Sequence, residues 1–205
     1  TRKVSLTEMI NHSKSVRLGV KKSLMVVDMP YKTYDTTTSA LKNAKKVLKE
    51  TNCDAVKLEG GRKIIKQIKY LIKNNIPVMG HLGLLPQSVK GKFKSKGKND
   101  KEIKQLINDA NLLEKNGVFA IVLECVKTPI AKKITQNLNI PTIGIGSSVH
   151  CDGQVLVTDD LLGLNETKIK FVKKFLNIKK YIKEGVKRYA SEVRSKKYPS
   201  KKHSY

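Results

Sequence analysis

The sequence predicts an α/β fold of repeated βα units around a parallel sheet, and two observations carry that prediction. Strand-like apolar runs alternate with helix-spaced segments along the 205 residues. Four of those runs also end in a titratable side chain beside a turn signal. They finish at Asp28 before Met29-Pro30, at Glu59 before Gly60-Gly61, at His81 between Gly80 and Gly83, and at Glu124 before Cys125. A charge at the end of a buried strand is costly unless it has a partner or a task. In parallel α/β folds, sites collect at the carboxyl ends of strands. The four ends therefore read as one catalytic mouth.

In chain order, residues 6–20 read as a helix that Ser5 or Thr7 can cap, followed by a buried strand at 23–28. Residues 36–51 place Ala40, Ala44, Val47 and Leu48 at helical spacing. Strand 55–59 passes through the glycine pair into helix 62–74, and strand 77–80 opens into a glycine-spaced loop at 81–99. Asp100 is the expected cap of helix 100–116, with Gly117 just past its end. Strand 118–123, helix 128–137, strand 141–145 and a last strand at 154–157 follow. The stretch from 165 to about 194 is lysine-rich and helical, broken near Asn177 and Gly185. A closed (βα)8 barrel has eight strands and typically about 250 residues. The expectation is thus about six of eight βα units in one partial TIM-barrel domain, residues 1–205, with a helical extension from about 165. A chain that opens on a helix without a preceding strand or a methionine is expected to lack an N-terminal piece.

Composition narrows the function class. The net charge of +25 invites a nucleic-acid partner, but arginine stands only at 2, 17, 62, 188 and 194, leaving 37 lysines among 42 basic residues. Nucleic-acid readers favour the arginine fork and interleaved aromatics; here aromatics are 5% and tryptophan is absent, which argues against that partner. The basic-patch candidates are the glycine-lysine loop 90–101 and the tail 196–202. No apolar run is long enough for a membrane span. Cys53, Cys125 and Cys151 are odd in number, form no CxxC pair and suit a reducing cytoplasm.

Residues two apart in a strand share a face, so Lys57 and Glu59 both point into the mouth. Asp28 and Glu59 offer hard oxygens suited to Mg²⁺, which takes few carboxylates and keeps room for water and substrate. Lys57 beside them can hold a substrate carboxylate or enolate oxygen, and Glu124 among apolar neighbours suits a general base. The competing reading is a buried ion network of Lys57, Glu59 and Glu124 without chemistry. His81 is a possible site-lining residue, or equally a satisfied structural histidine. Gly144-Ile145-Gly146-Ser147 lacks the third glycine of a dinucleotide fingerprint, and no Walker-type loop occurs.

Val56-Lys57-Leu58-Glu59-Gly60-Gly61, the run Gly80-His81-Leu82-Gly83-Leu84-Leu85-Pro86-Gln87-Ser88, Leu123-Glu124-Cys125-Val126 and Ile143-Gly144-Ile145-Gly146 together resemble the ketopantoate hydroxymethyltransferase family. Cys151-Asp152-Gly153-Gln154-Val155-Leu156-Val157 and the ending from Tyr198-Pro199 to His203-Ser204 match as well, so the resemblance runs from the first helix to the C-terminus. It implies a barrel of the phosphoenolpyruvate/pyruvate type, bound Mg²⁺, 5,10-methylenetetrahydrofolate as cosubstrate, and a homo-oligomer, commonly a decamer. Carried over by motif, Asp28 is a metal ligand that also touches substrate, Lys57 binds substrate, Glu59 is a metal ligand and Glu124 the proton acceptor. The implied reaction moves a hydroxymethyl group onto 3-methyl-2-oxobutanoate through a Mg²⁺-stabilised enolate, giving 2-dehydropantoate for pantothenate synthesis. The family's Gly-Asp-Ser motif has no match here, so the resemblance implies that these 205 residues alone are inactive or poorly folded. The alternatives are another Mg²⁺-dependent 2-oxo-acid enzyme of the same barrel superfamily, or an inactive basic fragment with a binding role.

Overall fold

The computed structural model describes residues 2–89, 94–166 and 169–205. It divides into two compact units, Thr1–Val155 and Leu156–Tyr205. The first runs α1 (Leu6–Gly19), β1 (Val26–Asp28), α2 (Thr37–Thr51), β2 (Ala55–Glu59), a 3-10 turn (Arg62–Ile64), α3 (Ile65–Lys73) and β3 (Val78–Gly83). It continues through α4 (Asp100–Lys115), β4 (Ala120–Glu124), α5 (Thr128–Asn137), β5 (Thr142–Ile145) and β6 (Gly153–Gln154). All six strands join one parallel sheet in the order β1-β2-β3-β4-β5-β6. Unbroken sequential order is barrel connectivity; a doubly wound sheet would reverse direction partway.

Local chemistry explains the elements. Ser5 and Glu8 form a reciprocal capping box at α1, and Thr36 with Ser39 forms another at α2. Val27, Val56, Leu58, Val78, Leu82, Ile121 and Leu123 belong to one buried core with Ala44, Val47, Ile68, Leu71, Leu113 and Ile134 of the helices. Because side chains alternate along a strand, that packing leaves Asp28, Lys57, Glu59, His81 and Glu124 on the opposite face.

Several boundaries differ from the sequence expectation. β1 has three residues rather than six, because Met25 is held by Asp54 instead: its N–H meets the Asp54 carboxylate at 2.8 Å and its carbonyl the Asp54 N–H at 2.9 Å. β3 continues past Gly80 to Gly83, so His81 is a strand residue and not part of the loop. Asn99, not Asp100, caps α4, its side chain accepting from the Glu102 N–H at 2.9 Å. The last strand is only Gly153–Gln154, and Val155 and Val157 are exposed beyond it.

In the second unit, α6 (Thr158–Leu161) precedes α7 (Ile178–Arg194) and a 3-10 turn (Lys201–His203). Residues 169–177 are not α-helical; the Phe175 N–H bonds instead to the Leu161 carbonyl. Asn177 caps α7, which runs uninterrupted through Gly185. That glycine is exposed, so it lowers helix propensity by about 1 kcal/mol without breaking the helix. No helix of the described residues is long and apolar enough to cross a membrane. The three cysteines are free.

Candidate active site

Strand register assembles the polar face. Asp28 is level with Lys57, Glu59 with His81, and Gly83 with Glu124. Lys57 Nζ lies 2.8 Å from Asp28 Oδ1 and 3.1 Å from His81 Nδ1, while His81 Nε2 lies 3.2 Å from Glu124 Oε2. The four side chains form a continuous series across four adjacent strands. An ammonium can only donate, so His81 Nδ1 accepts and its ring proton sits on Nε2, facing Glu124. Burial holds the His81 pKa below its ordinary value, with Glu124 opposing, and keeps the ring neutral at neutral pH.

Glu59 has a different environment. It is 5% exposed, and burial first, then the nearby Asp28 and Glu124 carboxylates, push its pKa up to about 7. The Gln87 N–H, donating to Glu59 Oε2 at 2.9 Å, and the Lys57 ammonium act against that rise. Gln87 also donates through Nε2 to the Met29 carbonyl at 2.9 Å and accepts from the Tyr34 hydroxyl at 2.7 Å. Burial raises the Tyr34 pKa, so the phenol remains a proton donor.

Backbone geometry fixes the rim. The Leu84 N–H donates to the Glu124 carbonyl at 2.8 Å, and the Gly60 N–H to the His81 carbonyl at 3.0 Å. Gly83 has φ of +97°, and a Cβ there would stand 2.2 Å from the Glu124 carbonyl oxygen, so only glycine permits this approach. Cys125, immediately after the predicted base, adopts a left-handed φ of +53° and donates its N–H to Ile145 O.

Among the described residues, no group of three or more His, Cys, Asp and Glu side chains is arranged to hold a metal ion. The two predicted ligands nevertheless fit Mg²⁺, which needs only one or two carboxylates when waters and substrate oxygens complete the shell. Asp28 Oδ1 is buried without a hydrogen bond among the described residues, its contact with Lys57 being an ion pair off the hydrogen-bonding direction. His81 Nε2 is also buried without a hydrogen bond among the described residues, since the neutral ring meets Glu124 Oε2 at 3.2 Å off the hydrogen-bonding direction. A cation held by Asp28 and Glu59 would offset the repulsion from Asp28 and Glu124 that adds to burial in raising Glu59.

The five residues singled out in the sequence thus stand together, with His81 at the centre of the series rather than at its margin. Of the basic-patch candidates, residues 90–93 lie outside the described residues. In the rest of that loop, Lys98 N–H donates to the Glu102 carboxylate, while Lys201 and Lys202 of the tail are exposed. Sequence reasoning missed Tyr34 and Gln87. Their signal is weak, because their partners lie 53 and 58 positions away along the chain.

A family profile described as Ketopantoate hydroxymethyltransferase matches residues 1–201. The chain is 60% identical over 205 residues to 3-methyl-2-oxobutanoate hydroxymethyltransferase of Pelagibacter ubique (strain HTCC1062), covering all of this chain and 79% of that protein. It is 47% identical over 209 residues to the protein of the same name from Clostridium botulinum (strain 657 / Type Ba4), covering 76% of it. Among solved structures it resembles 2,3-dimethylmalate lyase, a PEP mutase/isocitrate lyase superfamily member, with a TM-score of 0.55 at 10% identity over 72% of this chain and 54% of that one. At that identity the likeness speaks to the TIM-barrel fold alone.

Proposed function

The chain belongs to the ketopantoate hydroxymethyltransferase family, a family of transferases, and from that premise we propose that it transfers a hydroxymethyl group from 5,10-methylenetetrahydrofolate to 3-methyl-2-oxobutanoate, giving 2-dehydropantoate. The observation that carries the reading is the series Asp28–Lys57–His81–Glu124 with Glu59 beside it, on one face of four adjacent strands. Because these groups assemble within the 205 residues, we set this proposal against the expectation of an inactive chain drawn from the unmatched Gly-Asp-Ser motif. Asp28 and Glu59 would hold Mg²⁺, which when bound would supply Lewis-acid polarisation of the 2-oxo acid.

The remaining roles fall to the chain's own residues. Lys57 offers N–H donors to a substrate oxygen that gains negative charge as the C3 proton leaves. Glu124 is the acceptor of that proton. The neutral His81 ring, fixed by Lys57 at Nδ1, faces Glu124 with its protonated Nε2 at 3.2 Å from Oε2. Water opens the cosubstrate's methylene bridge, both C–N bonds breaking to release tetrahydrofolate and leave the one-carbon unit as formaldehyde. The carbon nucleophile adds to that carbonyl carbon, and the new alkoxide takes back the proton held by Glu124. Glu59, gripped by the Gln87 N–H, is the second carboxylate that would hold the metal.

The test is product formation with both substrates and Mg²⁺. Glu124→Gln keeps the shape of the side chain and is expected to lower turnover about 10²- to 10⁴-fold, the usual contribution of a positioned base. Wild-type turnover by Glu124→Gln would remove Glu124 from this role.

A further inference from the structure

We propose that Gln87 is a positioning residue that sets the placement of Asp28 and Glu59 relative to each other, and thereby the affinity of the site for a divalent cation. This deepens the reading just given and rests on it. Gln87 lies in the loop after β3, 2% exposed, and joins three segments that carry the mouth. Its backbone N–H fixes Glu59 Oε2 at the end of β2. Its side-chain Nε2 holds the carbonyl of Met29, the residue after Asp28, and its Oε1 receives the Tyr34 hydroxyl from the loop before α2.

The donors and acceptors permit one arrangement only. The Met29 carbonyl can only accept, so it must face the amide NH₂. The Tyr34 oxygen lies 3.4 Å from the Glu59 N–H, which can only donate, so the hydroxyl gives its own proton to Gln87. Every polar atom of the Gln87 side chain is therefore used, and none is used on a residue within its own loop. The side chain touches neither carboxylate. It acts by tying the backbone beside Asp28 to the backbone N–H that grips Glu59, as an outer shell fixes metal ligands.

The experiment is a Mn²⁺ titration followed by electron paramagnetic resonance, with thermal unfolding of each metal-free protein alongside. Gln87→Met keeps the volume and removes both side-chain bonds; it is expected to bind Mn²⁺ about 10- to 100-fold more weakly while unfolding cooperatively. Tyr34→Phe, which removes a single hydroxyl, should weaken binding less, and the double variant should lose less than the two losses combined, since both act in one network. Wild-type Mn²⁺ affinity in a folded Gln87→Met would make the residue merely structural and overturn the proposal. Should Gln87→Met fail to fold, Tyr34→Phe decides in the same way: weaker binding supports the proposal and unchanged binding overturns it. Glu59→Gln separates the two levels, because unaltered Mn²⁺ binding there would refute the metal reading itself, independently of Gln87.

Discussion

Lys57→Met probes the series at the residue on which it turns. Lys57 is the ion-pair partner of Asp28 among the described residues, at 2.8 Å, and also contacts His81 Nδ1. At an effective dielectric of about 20, two unit charges that close attract by about 6 kcal/mol. Part of this is offset, because the Lys57 and Asp28 side chains are 16% and 31% exposed and the lysine regains hydration on unfolding. The expected net loss is about 2–4 kcal/mol, in the lower range for removing one partner of a buried pair. The assay is urea unfolding of wild type, Lys57→Met, Asp28→Asn and the double variant near pH 7.5 in a chelator. The double variant should cost clearly less than the sum of the singles, because removing both charges leaves neither uncompensated. If Lys57→Met is as stable as wild type, or if the single effects simply add, the two residues are not coupled and the deduced series is wrong.

Other outcomes follow from the same geometry. The folded chain holds a proton on Glu59 up to about pH 7, whereas the unfolded chain releases it near the ordinary value of 4.5. Metal-free stability should therefore fall as pH rises from about 4.5 to 7, and Glu59→Gln should flatten that slope; identical slopes in a pH series of unfolding curves would contradict it. Gly83→Ala sets a methyl against the Glu124 carbonyl in a left-handed backbone, and denaturant unfolding should register a loss of about 2 kcal/mol or more. Ile121→Ala, in the fully buried core beneath the site, should cost about 2–5 kcal/mol by the same measurement, with little effect on Mn²⁺ affinity.

Much of the site was legible because strand periodicity is simple. Lys57 and Glu59 two residues apart, and a charge at the end of each apolar run, place the carboxylates and the lysine on one face without any structure. His81 was harder to place, since Gly80 reads as a strand's end while β3 in fact carries on to Gly83 by pairing with β4. Gln87 and Tyr34 left no periodic trace: their roles arise from hydrogen bonds between loops far apart in sequence. The error at β6 has a similar origin. Val155 and Val157 alternate as a strand would, yet the chain leaves the sheet at Gln154 and both side chains are exposed. At α7, glycine marks a helix break only where surroundings demand one, and a Cβ added at the exposed Gly185 would meet nothing within 4 Å.

The central claim is that this face removes the C3 proton of a branched 2-oxo acid. The direct measurement is exchange of that proton for deuterium, followed by proton NMR, when 3-methyl-2-oxobutanoate is incubated with the protein and Mg²⁺ in D₂O without the folate cosubstrate. Wild type should exchange the C3 position and Glu124→Gln should not, with both proteins folded by thermal unfolding. Exchange at equal rates in the two proteins, or none in wild type while substrate binds, would contradict the account.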